Sequence, residues 1–164
     1  MTPRERCART SRRSPELILA GWGVLFNGAW EAIQTPLYAD AGLPWRSLVW
    51  SRAHCTGGDV LILLMAHAIT ALAFRDRHWA QHRRTGPVIV FILTGITYTA
   101  WSEWFNTTVT MSWAYAESMP TILRIGVAPL LQWLLVPAAI VMLMRRSTAA
   151  ATLRDAAEAA RSQS

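Results

Sequence analysis

Four apolar blocks, each close to the length of a bilayer crossing, decide what this chain can fold into. They run from Leu17 to Pro36, from about Gly57 to Phe74, from Val88 to Asn106 and from Ile122 to Met144. An apolar stretch of roughly 20 residues crosses the roughly 30 Å hydrocarbon core as a helix. No block alternates with period two, and four strands do not close a barrel, so helices are expected. The expected fold is therefore all-α, a four-helix transmembrane bundle over residues 17–144 with spans at 17–36, 57–74, 88–106 and 122–144. A basic arm (1–16) precedes it and a polar tail (145–164) follows. The second block is the shortest, and a helical lead-in from Leu48 would lengthen it.

Composition agrees with that reading. Of the 164 residues, 52% are hydrophobic and 16% charged, whereas soluble domains are about a quarter charged. A soluble enzyme, a disordered tail and a disulfide-stapled secreted module are all disfavoured. Cys7 and Cys55 fall on opposite sides of the expected membrane, so they do not pair, and no zinc-type spacing occurs.

Arginine placement gives the direction. The N-terminal arm, the second connection and the C-terminal tail together hold 13 of the 16 Arg residues; Arg46, Arg52 and Arg124 are the rest. The positive-inside rule then puts both termini in the cytoplasm and turns the connections 37–56 and 107–121 outward. The net charge of +6 is explained by topology, with no need of a nucleic-acid partner. Ser11-Arg12-Arg13 before an apolar run hints at a twin-arginine signal with a cleavage site near Ala39-Asp40-Ala41. Ser14-Pro15-Glu16 breaks that pattern, and the run is too long and carries Glu31. The Ala-rich segment Ala149–Arg161 has helix-forming composition, but its one large apolar residue, Leu153, gives it little grip on a membrane.

The polar residues inside the blocks carry the functional expectation. Counted at about 1.5 Å per residue from the inner end of each block, Glu31, Asp59 and Glu103 all lie roughly 21–22 Å up. Arg124 and His54 fall at the outer surface, with Gln34 and Asn106 between. An Asp at mid-span costs on the order of 3 kcal/mol on insertion scales, so such groups should face the bundle interior and find partners. Asn27, Glu31 and Gln34 stand at i, i+4 and i+7, one polar stripe on an apolar helix.

Each residue also has a plainer reading. Glu31 and Gln34 serve equally as inter-helix glue. Asp59 after Thr56-Gly57-Gly58 reads as a capping box opening the second helix. Glu103 with Arg124 makes a structural ion pair at the rim, and His67 a hydrogen-bonded interior histidine. Six Trp (Trp30, Trp45, Trp50, Trp101, Trp104, Trp113) with Tyr38, Tyr98 and Tyr115 map to the outer half, Trp22 and Trp79 to the inner. Aromatic residues gather at membrane interfaces by default, and the outer excess, Trp101 and Trp104 above all, also suits a pocket wall or a cation seat. Pro129 and Pro137 flank Gln132 and bend the fourth helix. Gly21, Gly28 and Ala32 permit close helix approach, within one chain or between chains.

Several short runs together carry a resemblance. They are Trp30-Glu31, Gln34-Thr35-Pro36-Leu37-Tyr38, Gly58-Asp59, Tyr98, Trp101-Ser102-Glu103-Trp104-Phe105-Asn106, Ser112-Trp113-Ala114-Tyr115, Met119-Pro120 and Pro129-Leu130-Leu131-Gln132. Over roughly residues 20–137 the chain resembles a group of small four-span proteins of the bacterial inner membrane. The resemblance implies that location and architecture, and it lends no activity and no catalytic residue.

Three functions fit these residues. The first is an outward, periplasm-facing site of Glu31, Gln34, Asp59, Glu103, Asn106, Arg124, Trp101 and Trp104 that binds or passes a cation, a proton or a small ligand. A metal version would use His54 and Asp59, without the tight spacing that metal sites show. The second is an accessory or assembly protein, with a membrane partner or a second copy, in which the cluster is structural. The third is a membrane-embedded enzyme on a lipid or isoprenoid substrate, for which no nucleophile elbow, phosphate loop or HExxH is present. No cofactor is expected, and the surroundings are the lipid bilayer.

Overall fold

The structure, a computed structural model, describes residues 14–161. The basic arm up to Arg13, Cys7 with it, lies outside the described residues. The rest is an all-α bundle of four long helices: α1 (Pro15–Gln34), α2 (Trp45–Phe74), α3 (Thr85–Trp104) and α4 (Val127–Arg161). Each helix packs on its neighbour in the chain, and α4 closes the ring against α1.

Local chemistry sets the ends. Ser14 caps α1 by accepting from the Leu17 amide, with Pro15 and Glu16 in the first turn. Helix α2 ends where Arg75 turns left-handed at φ 51°, its N–H reaching the Ala71 and Leu72 carbonyls. Asp76 then holds the connection, accepting from the His78 amide at 2.9 Å and pairing with His82 Nδ1 at 2.8 Å. At the same end Arg77 grips Glu16 with two hydrogen bonds of 2.6 and 2.8 Å, which keeps that carboxylate ionised.

Interior faces repeat at helical spacing. Helix α1 buries Leu19, Gly23, Asn27, Glu31 and Gln34; α3 buries Pro87, Phe91, Gly95, Thr99 and Glu103. The apolar core gathers Leu19, Leu63, Trp79, Phe91, Trp133, Ile140 and Met144. Large apolar side chains lie outside and polar ones inside: Leu72 is 78% exposed, while Asn27 and His67 are each 2% exposed. Polar groups inside and bare leucines outside are what a lipid solvent selects. Among the described residues, three helices are long and apolar enough to cross a membrane: Trp45–Phe74, Thr85–Val109 and Val127–Ala150. Helix α1 is as long as the thickness requires, and its buried stripe of Asn27, Glu31 and Gln34 dilutes its hydropathy.

Several boundaries differ from expectation. Helix α2 begins at Trp45 and passes unbroken through Thr56-Gly57-Gly58-Asp59, so these residues cap nothing. Helix α4 begins at Val127, because Thr121–Ile122 (β1) and Ile125–Gly126 (β2) pair as a small antiparallel hairpin. Its two-residue turn is Leu123-Arg124, with φ of 52° and 68°. Two successive positive φ angles define a turn that favours Asn-Gly, and an L-residue there costs roughly 1–2 kcal/mol. The double substitution Leu123→Asn with Arg124→Gly should therefore raise stability by about 1 kcal/mol. An unchanged or lower melting temperature would refute the assignment of strain to this turn. Beyond Met144 no proline or glycine stops α4, and the Ala-rich segment continues it as one helix to Arg161.

Candidate functional site

Near the end of the bundle away from the termini, all four helices and the two connections at that end surround a cavity of about 650 Å³. That volume lies within the ~300–1,000 Å³ of small-molecule sites. Glu31 and Gln34 reach it from α1, Arg52, His54, Cys55 and Asp59 from α2, Thr99 and Glu103 from α3, and Gln132 and Trp133 from α4. The connections add Tyr38, Asp40, Trp113 and Ala114.

Three carboxylates from three helices therefore do face one space. Each has a different set of partners. Glu31 accepts from Gln34 Nε2 at 2.7 Å through Oε1, and its Oε2 lies 3.6 Å from Arg52 Nη1. Gln34 in turn accepts from Trp30 Nε1 at 3.1 Å. Asp59 accepts from Gln132 Nε2 at 2.7 Å; the same amide reaches Asn27 Oδ1 at 2.9 Å, and Asn27 donates onward to the Gly23 carbonyl. Glu103 accepts from the Tyr115 hydroxyl and from Trp113 Nε1 at 3.4 Å. Burial and the neighbouring Glu103 push the Tyr115 hydroxyl above its ordinary value, so it stays a donor. Burial does the same to Tyr38.

One guanidinium organises the mouth. Arg52 forms an ion pair with Asp40 and faces Glu31, and its charged plane lies 5.2 Å from the centre of the Tyr38 ring. The connections above it are joined by backbone bonds from Ala39 N to Ala114 O and from Ala116 N to Leu37 O, both 3.0 Å. Tyr38 and Tyr115 pack together between them at 5.7 Å. Three buried polar atoms of the lining have no hydrogen-bond partner: Glu31 Oε2, Arg52 Nε and Thr99 Oγ1. Buried polar groups are normally satisfied, so these are open valences of the site.

Several expected members lie elsewhere. Arg124 is exposed on the hairpin turn and does not meet Glu103, whose partners are Tyr115 and Trp113. Trp101 and Trp104 point away from the cavity, because residues flanking the Pro87-to-Glu103 face of α3 fall off that face. Trp101 stacks on Phe105 instead. Asn106 sits in a π-helical turn, Phe105–Val109, and bonds to Ser102. His54 lines the cavity while largely exposed. Among the described residues, no three of His, Cys, Asp and Glu come together to hold a metal, so the metal version has no ligand set here. His67 is buried, yet both its ring nitrogens lack hydrogen-bond partners.

Tyr38 and Tyr115 belong to the outer aromatic set expected to wall a pocket, whereas Arg52, Asp40, Thr99 and Trp133 are lining residues that sequence reasoning missed. A signal existed for Arg52. It stands seven residues before Asp59, hence on the same face of one continuous helix. No family model matches the chain, and neither does any curated protein or solved structure.

Proposed function

We propose that this is a polytopic inner-membrane protein with both termini cytoplasmic, and that its cavity faces the periplasm and binds a small organic cation. Arginine concentration around the termini and the second connection supports the orientation. The observation that carries the function is the charge balance of the cavity. Glu31, Asp40, Asp59 and Glu103 line it against Arg52 as the one fixed cation of the lining, and Glu31 Oε2, 3.6 Å from Arg52 Nη1, makes no hydrogen bond. An ammonium group fits that balance. It would donate to Glu31 and lie beside the Tyr38 and Trp113 rings, with its apolar body in the space bounded by Ile62 and Trp133.

The test uses the full chain in detergent and phenethylamine as the probe. The amine should raise the melting temperature with the logarithm of its concentration once above Kd, giving a stabilisation of about 2.7 kcal/mol at a hundredfold excess over Kd. The uncharged analogue 2-phenylethanol should not, and Glu31→Gln and Asp59→Asn should each abolish the response. A wild-type protein indifferent to the amine, or variants that respond as it does, would exclude a cation site. A second reading, a purely structural cluster, draws on the internal partners that Asp59 and Glu103 already have. It predicts melting temperatures lowered by both substitutions and unmoved by either probe.

A further inference from the structure

We propose that His67 is the inner station of a proton path fed from the cavity, so that this chain moves protons across the membrane as well as binding a cation. The inference rests on the proposed orientation for which side is which; it shares Asp59 with the cation site, and its own residues are Leu63 and His67.

A polar file descends from the cavity. Asp59 and Asn27 share the Gln132 amide, and Asn27 hands on to the Gly23 carbonyl at 2.9 Å. Here the file meets Leu63, fully buried and packed against Gly23. One helical turn below Leu63, and two below Asp59, comes His67 on the same face of α2. The leucine therefore occupies a single turn between two polar stations.

No hydrogen bond accounts for a polar side chain at His67. It is 2% exposed, its ring packs 5.5 Å from the Trp79 ring, and neither nitrogen has a hydrogen-bond partner. A leucine or phenylalanine would fill such a place without burying an unsatisfied polar group. What distinguishes the histidine is its capacity to take and release a proton.

Its surroundings suit that use. From α1, Glu16 Oε1 lies 3.8 Å from Nε2. From the α2–α3 connection come Arg77, which holds Glu16, and His78. The core cluster that includes Trp79 takes Phe91, Trp133, Val136, Ile140, Val141 and Met144 from α3 and α4, with no charge among them. Glu16 is a third exposed and meets water at the termini end. Its carboxylate, kept ionised by Arg77, balances an imidazolium without itself accepting the proton.

The transfer is balanced with water alone. Asp59, a carboxylate at rest, takes a proton from water in the cavity and forms an O–H bond; that bond then breaks, the carboxylate returns, and the proton passes along water admitted beside Leu63 when that side chain swings aside. An N–H bond forms on a free ring nitrogen of His67. The imidazolium then gives its proton to water next to Glu16 and returns to neutral. No electron is transferred and no other bond changes.

The full chain in liposomes containing a pH-sensitive dye, under a potassium diffusion potential, tests this. Wild-type proton uptake should exceed that of empty vesicles at least tenfold. His67→Gln should cut the excess to a tenth or less, and Leu63→Ser, which wets the gap, should raise it severalfold. The phenethylamine melting shift, run on each variant, checks that the fold and the cavity persist. Wild-type flux equal to empty vesicles with the amine shift intact would overturn the proton path and leave the cation site standing. Flux undiminished in His67→Gln would overturn it as well. Flux lost in His67→Gln, in a wild type that shows no amine shift, would support the path and sink the cation reading instead.

Discussion

Alanine at Gly95 should lower the stability of the bundle by about 3 kcal/mol, at the upper end of what overpacking one methyl costs. Gly95 lies on the buried face of α3, and a Cβ built there would fall far inside van der Waals contact with the Cε3–Cζ3 edge of the Trp133 indole. The contact is with the body of a fully buried aromatic ring, not the tip of a flexible chain. The indole has few ways to retreat, since it belongs to the central core cluster and also lines the cavity. Relief would push it into the cavity, so the same substitution should weaken phenethylamine binding. Trp133→Leu supplies the cross-check. Alone it leaves a void; combined with Gly95→Ala the methyl has room, and the pair should cost at least 1 kcal/mol less than the sum of the singles. Reversible unfolding in detergent measures all three. A loss below 0.5 kcal/mol for Gly95→Ala would mean that α3 and α4 are not packed this closely.

Glutamine at Arg52 should cost about 3 kcal/mol. The guanidinium stands between Asp40 and Glu31, and the Glu31 side chain is only 5% exposed. Removing the cation leaves that carboxyl group buried and half-satisfied, whereas Asp40, more exposed, is partly hydrated and loses less. The double variant Glu31→Gln with Arg52→Gln removes both charges and should recover most of the loss, because neutral amides at these places need no counter-ion. Phenethylamine should partly restore Arg52→Gln by placing an ammonium where the guanidinium was. If the single and double variants melt together, Glu31 and Arg52 do not depend on one another.

What was legible in the sequence follows from what repeats. The stripe Asn27, Glu31, Gln34 stood out because three polar residues at one helical spacing interrupt an apolar block, and all three are buried. The common level of Glu31, Asp59 and Glu103 followed from helix rise alone, and all three reach the same cavity. Arg52 was hidden by a boundary drawn where apolar residues begin. Helix α2 runs through Ser51, Arg52, Gly57 and Gly58 because its first turns need not lie in lipid, where apolar content decides. Arg124 was misplaced for the opposite reason. Its turn needs positive φ at both positions, and Leu123-Arg124 carries no Asn or Gly to announce it. Tyr115 reaches Glu103 across a stretch without periodicity. Nothing in a linear reading pairs them.

The backbone bonds that join Ala39 to Ala114 and Leu37 to Ala116 have a mechanical consequence. The two segments roofing the cavity are laced into one flap anchored to α1, α2, α3 and the β1 hairpin, so neither can peel back alone. Any visitor too large for the resting mouth must wait for both seams to part together, and its rate of entry is set by that joint rupture rather than by the width of the chamber beneath.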